Sequence, residues 1–419
     1  MIGHEGFILV LALILGFYLA WNIGANDVAN AMGTSVGSGA LTLKRAIIIA
    51  ALLEFCGAFF VGAHVTETIE KGLINTELFY QNPNVLLYGM LASLLATGVW
   101  LQIASYFGWP VSTTHCIIGS VVGFGLILGG VEAVEWTNLI IIGTSWVLSP
   151  LMGGILSFGI FTLLRRYIFY SKNPVRATKR IAPILVFGVF SILSLVVLFK
   201  GLTHLDIHLD FLEALGISVG MGIVTGLLTY ILLRSLKDKE DADVSMDGTE
   251  YAVVEKIFIP LQIVSACCMA FAHGANDVAN AIGPLASIVS ILHTHQSIMS
   301  AEIPTWILAL GGLGIVVGLA TWGWRVIETI GKKLTELTPS RGFAAEFGAA
   351  TTILLASKLG LPVSTTHTLV GSVLGVGLAR GIGALNLGMI REIVLSWVVT
   401  IPVGALLSVL FYYCFAFFI

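Results

Sequence analysis

Eight residues, GANDVANA, occur twice in the chain, at positions 24–31 and 274–281. On a helix, the two asparagines and the aspartate of each copy would lie on one face. Carboxylate and amide oxygens are hard ligands that suit a hard cation. The motif therefore predicts two sodium half-sites, with hydrogen bonding between helices as the alternative. The predicted cation ligands are Asn26, Asp27, Asn30, Asn276, Asp277 and Asn280.

A second motif, Pro-Val-Ser-Thr-Thr-His, occurs at positions 110–115 and 362–367. Proline ends the preceding segment and suits the first turn of a new helix. Hydroxyls, unpaired N–H groups and the positive end of the helix dipole make that turn an anion site, unless the hydroxyls only cap a kinked helix. His115 and His367 are expected in a second layer behind the anion. The predicted anion ligands are Ser112, Thr113, Thr114, Ser364, Thr365 and Thr366.

Two further acids, Glu54 and Glu346, lie in apolar segments and break the repeat, because alignment of the copies sets Ile315 opposite Glu54 and Leu94 opposite Glu346. A charged side chain at the centre of a membrane helix costs about 2.5–3.5 kcal/mol on insertion scales. We therefore expect both glutamates to serve coupling or gating, with structural pairing as the alternative.

The composition is that of a membrane protein: 57% of the 419 residues are hydrophobic and 11% are charged, against about 25% charged in soluble domains. The prediction is an all-α polytopic membrane protein with about twelve transmembrane segments. The N-terminal apolar run lacks a basic start, so we expect a retained first helix. The predicted segments are 5–24, 45–64, 84–107, 111–129, 138–164, 182–200, 211–234, 256–275, 301–325, 343–358, 363–380 and 391–417.

If each segment crosses once, all but Lys71, Lys200 and Lys358 of the 21 Lys and Arg residues fall on one side. The positive-inside rule makes that side cytoplasmic and places both termini outside the cell membrane. The loops near 165–181 and 235–255 would then be cytoplasmic, and the polar stretch 237–250 would be a flexible linker.

The same assignment of Lys and Arg residues to the two sides gives the two GANDVANA copies opposite orientations in the membrane. Positions 110–126 and 362–378 are identical at 12 of 17 places. Gly24 and Gly274 are expected to open their helices, and Pro284 to interrupt the second copy. Two inverted-topology repeats with interrupted or hairpin helices are typical of secondary transporters with a midplane site. The predicted division is 1–135 for the first repeat, 136–255 for intervening helices and linker, and 256–419 for the second repeat.

With both paired motifs in view, the chain resembles the inorganic phosphate transporter (PiT) family, which includes the type III sodium–phosphate cotransporters. The resemblance runs through residues 24–126 and 274–380. It implies inorganic phosphate as the anion, carried with Na⁺ or, in many bacterial relatives, with H⁺. It also implies matched family roles for the motif acids Asp27 and Asp277, the motif serines, and the intramembrane Glu54 and Glu346. Animal members of the family have a long cytoplasmic domain, and only residues 235–255 occupy its place in this chain.

The expected function is secondary active symport of phosphate with Na⁺ by alternating access. Moving a divalent anion inward against 100 mV costs about 4.6 kcal/mol, and two co-transported cations cancel that term. The alternatives are an H⁺-coupled phosphate or sulfate symporter, an anion channel, and a membrane enzyme acting on phosphorylated lipid.

The sequence argues against an enzyme, because it shows no nucleophile–base pair and no phosphate-binding P-loop. No covalent cofactor is expected, and there is no basic patch for nucleic acid. The expected partners are inorganic phosphate, Na⁺ and the lipid bilayer. A homo-oligomer such as a homodimer is left open.

Overall fold

Helices form nearly all the regular structure of the computed structural model, which describes residues 2–63, 65–66, 72–198, 209–235, 249–294, 303–333 and 336–419. Within these ranges an isolated bridge joins Ile74 and Val134. The α-helices are α1 Ile2–Gly37, α2 Leu43–Val61, α3 Pro83–Phe107, α4 Thr113–Gly129, α5 Trp136–Leu164, α6 Pro174–Val196, α7 Phe211–Ser235, α8 Thr249–Thr294, α9 Thr305–Trp322, α10 Trp324–Lys333, α11 Pro339–Lys358, α12 Thr365–Arg380 and α13 Leu387–Phe418.

Among the described residues, eight helices are long and apolar enough to cross a membrane: α1, α3, α5, α6, α7, α8, α9 and α13. The predicted all-α polytopic membrane fold is therefore confirmed. The count of about twelve crossings, the inverted orientation of the repeats and their boundaries stay predictions. Residues 237–248 of the predicted linker lie outside the described residues, as do Lys71 and Lys200, whereas its last two residues, Thr249 and Glu250, begin α8.

The two GANDVANA motifs lie inside unbroken helices, so the predicted opening at Gly24 and Gly274 is wrong, and so is the predicted interruption at Pro284. The glycines serve close packing instead. A Cβ on Gly24 would lie 1.9 Å from the Ile315 carbonyl oxygen, and one on Gly274 would lie 2.1 Å from that of Glu54. Small residues let membrane helices approach this closely. Proline is tolerated within membrane helices because neighbouring groups satisfy the freed carbonyl.

The breaks in the helices occur instead before the two PVSTTH motifs. Helix α3 ends at Gly108 with φ +70°, and α11 is followed by Gly360 with φ +69°. Left-handed glycine ends a helix without a Cβ penalty. Pro110 and Pro362 then precede α4 and α12. Each copy therefore folds as a helical hairpin, α3–α4 or α11–α12, whose second helix starts at the motif hydroxyls.

Helix contacts occur in matched pairs around these hairpins. Helix α1 packs against α9 and α3, and α8 packs against α2 and α11. Helix α13 packs on α4, while α5 packs on α12. A Cβ on Gly119 would lie 2.6 Å from the Ile401 carbonyl oxygen, and one on Gly371 would lie 2.2 Å from that of Pro150. These two glycines, which follow the PVSTTH motifs, therefore allow close packing between helices.

Gly318→Ala tests the close contact between α9 and α1. Its Cβ would lie 1.8 Å from the Trp21 carbonyl oxygen, so we expect a loss of about 1–3 kcal/mol in the free energy of unfolding from overpacking. Gly143 in α5 has nothing within 4 Å of its Cβ position, so Gly143→Ala should stabilise its helix by up to about 1 kcal/mol. Thermal unfolding in detergent measures the stability of both variants. Equal shifts of their unfolding temperatures would contradict this packing.

Candidate ion-binding site

The serines of the two PVSTTH motifs cap their helices. The His115 backbone N–H donates to Ser112 Oγ at 3.2 Å, and the His367 backbone N–H donates to Ser364 Oγ at 3.1 Å. The alternative role of the hydroxyls, as caps of the helix, therefore holds for Ser112 and Ser364. The other N–H groups of the first turn have no acceptor within their own helix. The predicted anion site depends on these N–H groups.

The two helix starts touch each other, although they lie far apart in sequence. Thr114 Oγ1 donates to the Val363 carbonyl at 3.2 Å, and Thr366 Oγ1 donates to the Val111 carbonyl at 3.1 Å. All six predicted anion ligands are at most 2% exposed. The tips of both hairpins thus form one buried contact with matched bonds on either side.

Each motif aspartate binds the hairpin of its own copy. Thr113 Oγ1 donates to Asp27 Oδ2 at 2.6 Å, and Thr365 Oγ1 donates to Asp277 Oδ2 at 2.7 Å. Hydrogen bonds to a charged acceptor are among the stronger ones in proteins. The predicted cation and anion ligands therefore share hydrogen bonds, which sequence spacing alone does not show.

The last asparagine of each GANDVANA motif binds the hairpin of the other copy. Asn30 Nδ2 donates to Thr366 Oγ1 at 2.8 Å, and Asn280 Nδ2 donates to Thr114 Oγ1 at 3.3 Å. These bonds hold α1 to α12 and α8 to α4. The twelve predicted ion ligands thus belong to one buried cluster built from both copies.

Several oxygens in this cluster lack a donor. Asn26 Nδ2 donates outward, to Ser105 Oγ at 3.0 Å and to the Trp109 carbonyl at 3.1 Å. Among the described residues, Asn26 Oδ1, Asp27 Oδ1 and Asn280 Oδ1 are buried and have no hydrogen-bond partner. Buried acceptors without donors are costly. A bound cation would remove that cost.

Asn276 occupies the matched place in the second copy, and its neighbours fix the orientation of its amide. The Val363 carbonyl and Asp277 Oδ1 both accept hydrogen bonds, so the amide nitrogen lies toward them and donates at 2.9 Å and 3.0 Å. The amide oxygen accepts from Ser357 Oγ at 3.2 Å. Asn276 therefore ties Asp277 to the residue directly before Ser364.

Glu54 approaches the second half-site through a histidine that sequence reasoning missed. His273 Nδ1 lies 3.1 Å from Glu54 Oε2, and His273 Nε2 lies 3.1 Å from Asp277 Oδ2. All three side chains are at most 1% exposed. Ligand atoms of Asp27, His273 and Asp277 also lie within 4.8 Å of one another. A histidine that contacts a carboxylate on each side can orient both.

The first copy has only apolar side chains at the matched places. Ile23 precedes its GANDVANA motif where His273 precedes the second. Ile315 contacts Gly24 as Glu54 contacts Gly274. The available sequence signal was therefore the histidine directly before the second motif, paired with the unmatched glutamate.

Glu346 occupies a different polar cluster, which supports the structural pairing reading at this position. Its Oε1 accepts from Thr34 Oγ1 at 2.5 Å, Ser35 Oγ at 2.6 Å and Gln262 Nε2 at 3.3 Å. Its Oε2 accepts from Ser265 Oγ at 2.5 Å. These donors lie on α1 and α8, whereas Glu346 lies on α11. The glutamate therefore ties one hairpin to both motif helices.

His115 and His367 meet in a cluster of four rings. Their rings meet edge to face with centroids 4.2 Å apart, and His115 lies 4.0 Å from Trp146 while His367 stacks on Trp397 at 3.6 Å. Both tryptophans were missed, because an aromatic residue in a membrane helix carries no signal of its own in sequence. The ring cluster lies directly after the threonine pairs and joins α4, α5, α12 and α13.

Comparison with known proteins identifies the family to which the chain belongs. The model of the phosphate transporter family matches residues 23–408. The chain belongs to the phosphate transporter family. It is thus a member of a transporter family with a multi-pass membrane fold.

Relatives of this phosphate transporter family member carry matching descriptions. The chain is 50% identical to inorganic phosphate transporter 2-1, chloroplastic, of Arabidopsis thaliana, covering 96% of this chain and 71% of that protein. It is 49% identical to a protein of Chlamydia pneumoniae described as a phosphate permease, covering 97% and 98%. A solved structure described as the sodium-dependent phosphate transporter is 41% identical, with a TM-score of 0.91, and covers 99% of this chain and 100% of that one.

The Glu54–His273 pair can be tested against the isoleucines at the matched places. His273→Ile leaves Glu54 buried without its partner, so we expect a loss of about 3–5 kcal/mol in the free energy of unfolding. The double variant Glu54→Ile/His273→Ile places isoleucine at both positions, as the first copy does with Ile23 and Ile315, and should recover most of that loss. Thermal unfolding of the single and double variants gives the coupling energy. Simple additivity would show that the pair does not interact.

Proposed function

We propose that this protein is a secondary active symporter that imports inorganic phosphate with Na⁺ across the cell membrane. The observation that carries the proposal is the buried cluster in which two hydroxyl-bearing helix starts meet both GANDVANA aspartates. One set of groups suits an anion and the other a cation, and hydrogen bonds join them. Membership of a transporter family also favours a carrier over an enzyme.

Phosphate is the anion that these helix starts suit best. Two converging helix starts supply N–H donors and the positive ends of two dipoles. The threonine hydroxyls add donors that a phosphate oxygen can accept from. No Lys or Arg lies in either motif, so a co-bound cation supplies the compensating charge. The solved sodium-dependent phosphate transporter, at 41% identity, supports the same pair of ions.

Sodium suits the oxygen clusters better than a proton does. A proton bridges one pair of oxygens, whereas Na⁺ can be coordinated by several oxygens at once. In the second copy, Asn280 Oδ1 is buried and has no hydrogen-bond partner among the described residues. In the first copy, buried oxygens of Asn26 and Asp27 have no donor among the described residues. We infer one Na⁺ in each copy, beside the phosphate.

Transport would proceed by alternating access. The six anion ligands are buried, so entry from either side requires the hairpin tips to part. The bonds from Thr114 to Val363 and from Thr366 to Val111 would open in turn. Glu346 would couple this movement to both motif helices, and Glu54 would act on Asp277 through His273. His115 and His367 would support the tips from behind, and both termini would face outside.

Reconstituted vesicles test the cation. We expect an inward Na⁺ gradient to drive uptake of labelled phosphate into proteoliposomes, and a pH gradient without Na⁺ to drive none. Unlabelled arsenate should compete because it shares the tetrahedral shape and charge of phosphate, whereas sulfate should compete poorly. Uptake driven by the pH gradient alone would establish the H⁺-coupled alternative.

Loss of either motif carboxylate separates a symporter from a channel. Asp27→Asn and Asp277→Asn should each lower Na⁺-driven uptake at least tenfold, since losing a partner of a buried charge costs about 2–5 kcal/mol. Asp210→Asn is the matched control, because Asp210 is exposed at the start of α7 and accepts from the Phe211 N–H. An anion channel would keep its phosphate flux in both motif variants.

A further inference from the structure

A polar pocket lies at the end of the α11–α12 hairpin opposite its tip. The pocket has a volume of about 330 Å³ and is lined by residues from the end of α5, the beginnings of α8 and α11, and the end of α12. Thr365 and Arg380 are the first and last residues of α12, so they lie about 22 Å apart along the helix. The pocket is therefore separate from the predicted ion site.

Three arginines line this pocket, and each comes from a different helix end. Arg165 directly follows α5, Arg341 lies in the first turn of α11, and Arg380 ends α12. The side chains of Arg341 and Arg380 are each 21% exposed. A guanidinium is planar, permanently charged and carries five N–H donors, which match the oxygens of a phosphate group. The pocket therefore gathers donors that suit phosphate.

Glu336 lies beside the pocket and contacts two of its arginines. Its Oε2 is 3.3 Å from Arg341 Nη1 and 3.2 Å from Arg380 Nη2. Its side chain is 78% exposed. Exposed ion pairs contribute little to stability, so a ligand with more negative charge can displace this carboxylate. Glu336 therefore marks the place of an anion between the two arginines.

The other charged groups of the pocket are held by their neighbours. Glu255 accepts from the Ser340 backbone N–H and from the Ser340 hydroxyl, both at 2.8 Å, and so caps the start of α11. Arg165 donates to the Ala379 carbonyl and to the Tyr170 hydroxyl. Among the described residues, three arginines face two glutamates here, which leaves one net positive charge. The pocket is therefore fixed in shape and attracts an anion.

Aromatic side chains form another wall of the pocket and favour a lipid as the source of the phosphate group. The rings of Phe169 and Tyr251 stack with centroids 6.0 Å apart, and the Tyr251 hydroxyl donates to the Phe169 carbonyl at 3.4 Å. Tyr170 is exposed at the same place. Tyrosine is enriched where a membrane meets water. Basic pockets between membrane helices bind anionic lipid headgroups.

We propose that this pocket binds a phosphate group through Arg165, Arg341 and Arg380, and that an anionic phospholipid headgroup supplies it. Free inorganic phosphate offers the guanidiniums the same chemistry, so the experiment below separates the two sources. Binding displaces Glu336 and joins the end of α5 to both helices of the hairpin. The proposal does not depend on the proposed symport, because the pocket lies apart from the predicted ion ligands.

Thermal unfolding of the purified protein in detergent tests the site. A ligand that binds only the folded protein raises the unfolding temperature, and the dependence on its concentration gives an apparent affinity. We expect short-chain phosphatidylglycerol, which carries a net negative charge, to raise the unfolding temperature. Phosphatidylcholine of the same chain length has a neutral headgroup and should raise it much less. Inorganic phosphate is added in a separate series.

Arginine variants separate the pocket from general attraction to the protein surface. Arg341→Gln and Arg380→Gln should each weaken the apparent affinity for phosphatidylglycerol about fivefold, the effect of one arginine at a lipid headgroup. Arg166→Gln is the matched control, because Arg166 is exposed, lies over the Tyr167 ring at 5.9 Å and does not line the pocket. Its affinity should stay at the wild-type value.

Glu336→Gln provides the opposite change. It removes the competing carboxylate, so the apparent affinity should rise about threefold, which a misfolded variant cannot imitate. If inorganic phosphate gives this pattern of variants and phosphatidylglycerol does not, the site stands and its ligand is free phosphate. Equal losses in Arg166→Gln and Arg341→Gln would overturn the proposal, and so would an affinity for both ligands that Glu336→Gln leaves unchanged.

Discussion

The hydrogen bond between a hairpin threonine and a motif aspartate is the interaction on which the rest of the structure depends. It occurs once in each copy, from Thr113 to Asp27 and from Thr365 to Asp277. It joins the start of a short helix to the middle of a long, unbroken one. Both partners are buried, so water does not compete for the bond. This bond places the positive end of a helix dipole beside a carboxylate.

That placement gives a physical basis for coupling. A carboxylate and an anion in one buried volume repel each other strongly unless cations accompany them. Helix starts without Lys or Arg attract an anion only weakly by comparison with a fixed cation. In the proposed symporter, each ion therefore lowers the cost of binding the other. The coupling comes from sharing one closed cluster, not from a separate coupling element.

The two copies are similar but not equivalent at this cluster. The second copy has His273 and Glu54 at places where the first has Ile23 and Ile315. His273 Nε2 lies 3.1 Å from Asp277 Oδ2, in addition to the bond that Asp277 accepts from Thr365. The two half-sites therefore differ in how their carboxylates are held, although their motif residues are identical.

The sequence by itself determined the membrane class and the paired motifs, and it predicts the twelve ion ligands because polar residues repeated within apolar runs have few structural explanations. It also predicted the helix breaks before both PVSTTH motifs, since glycine and proline act on the local backbone. The tertiary structure decided what local patterns do not encode. Gly24 and Gly274 pack helices closely instead of opening them, because the neighbouring carbonyl lies within 2.1 Å of a Cβ position. The contacts of His273, Trp146 and Trp397 depend on helices far apart in sequence, so only the folded chain reveals them.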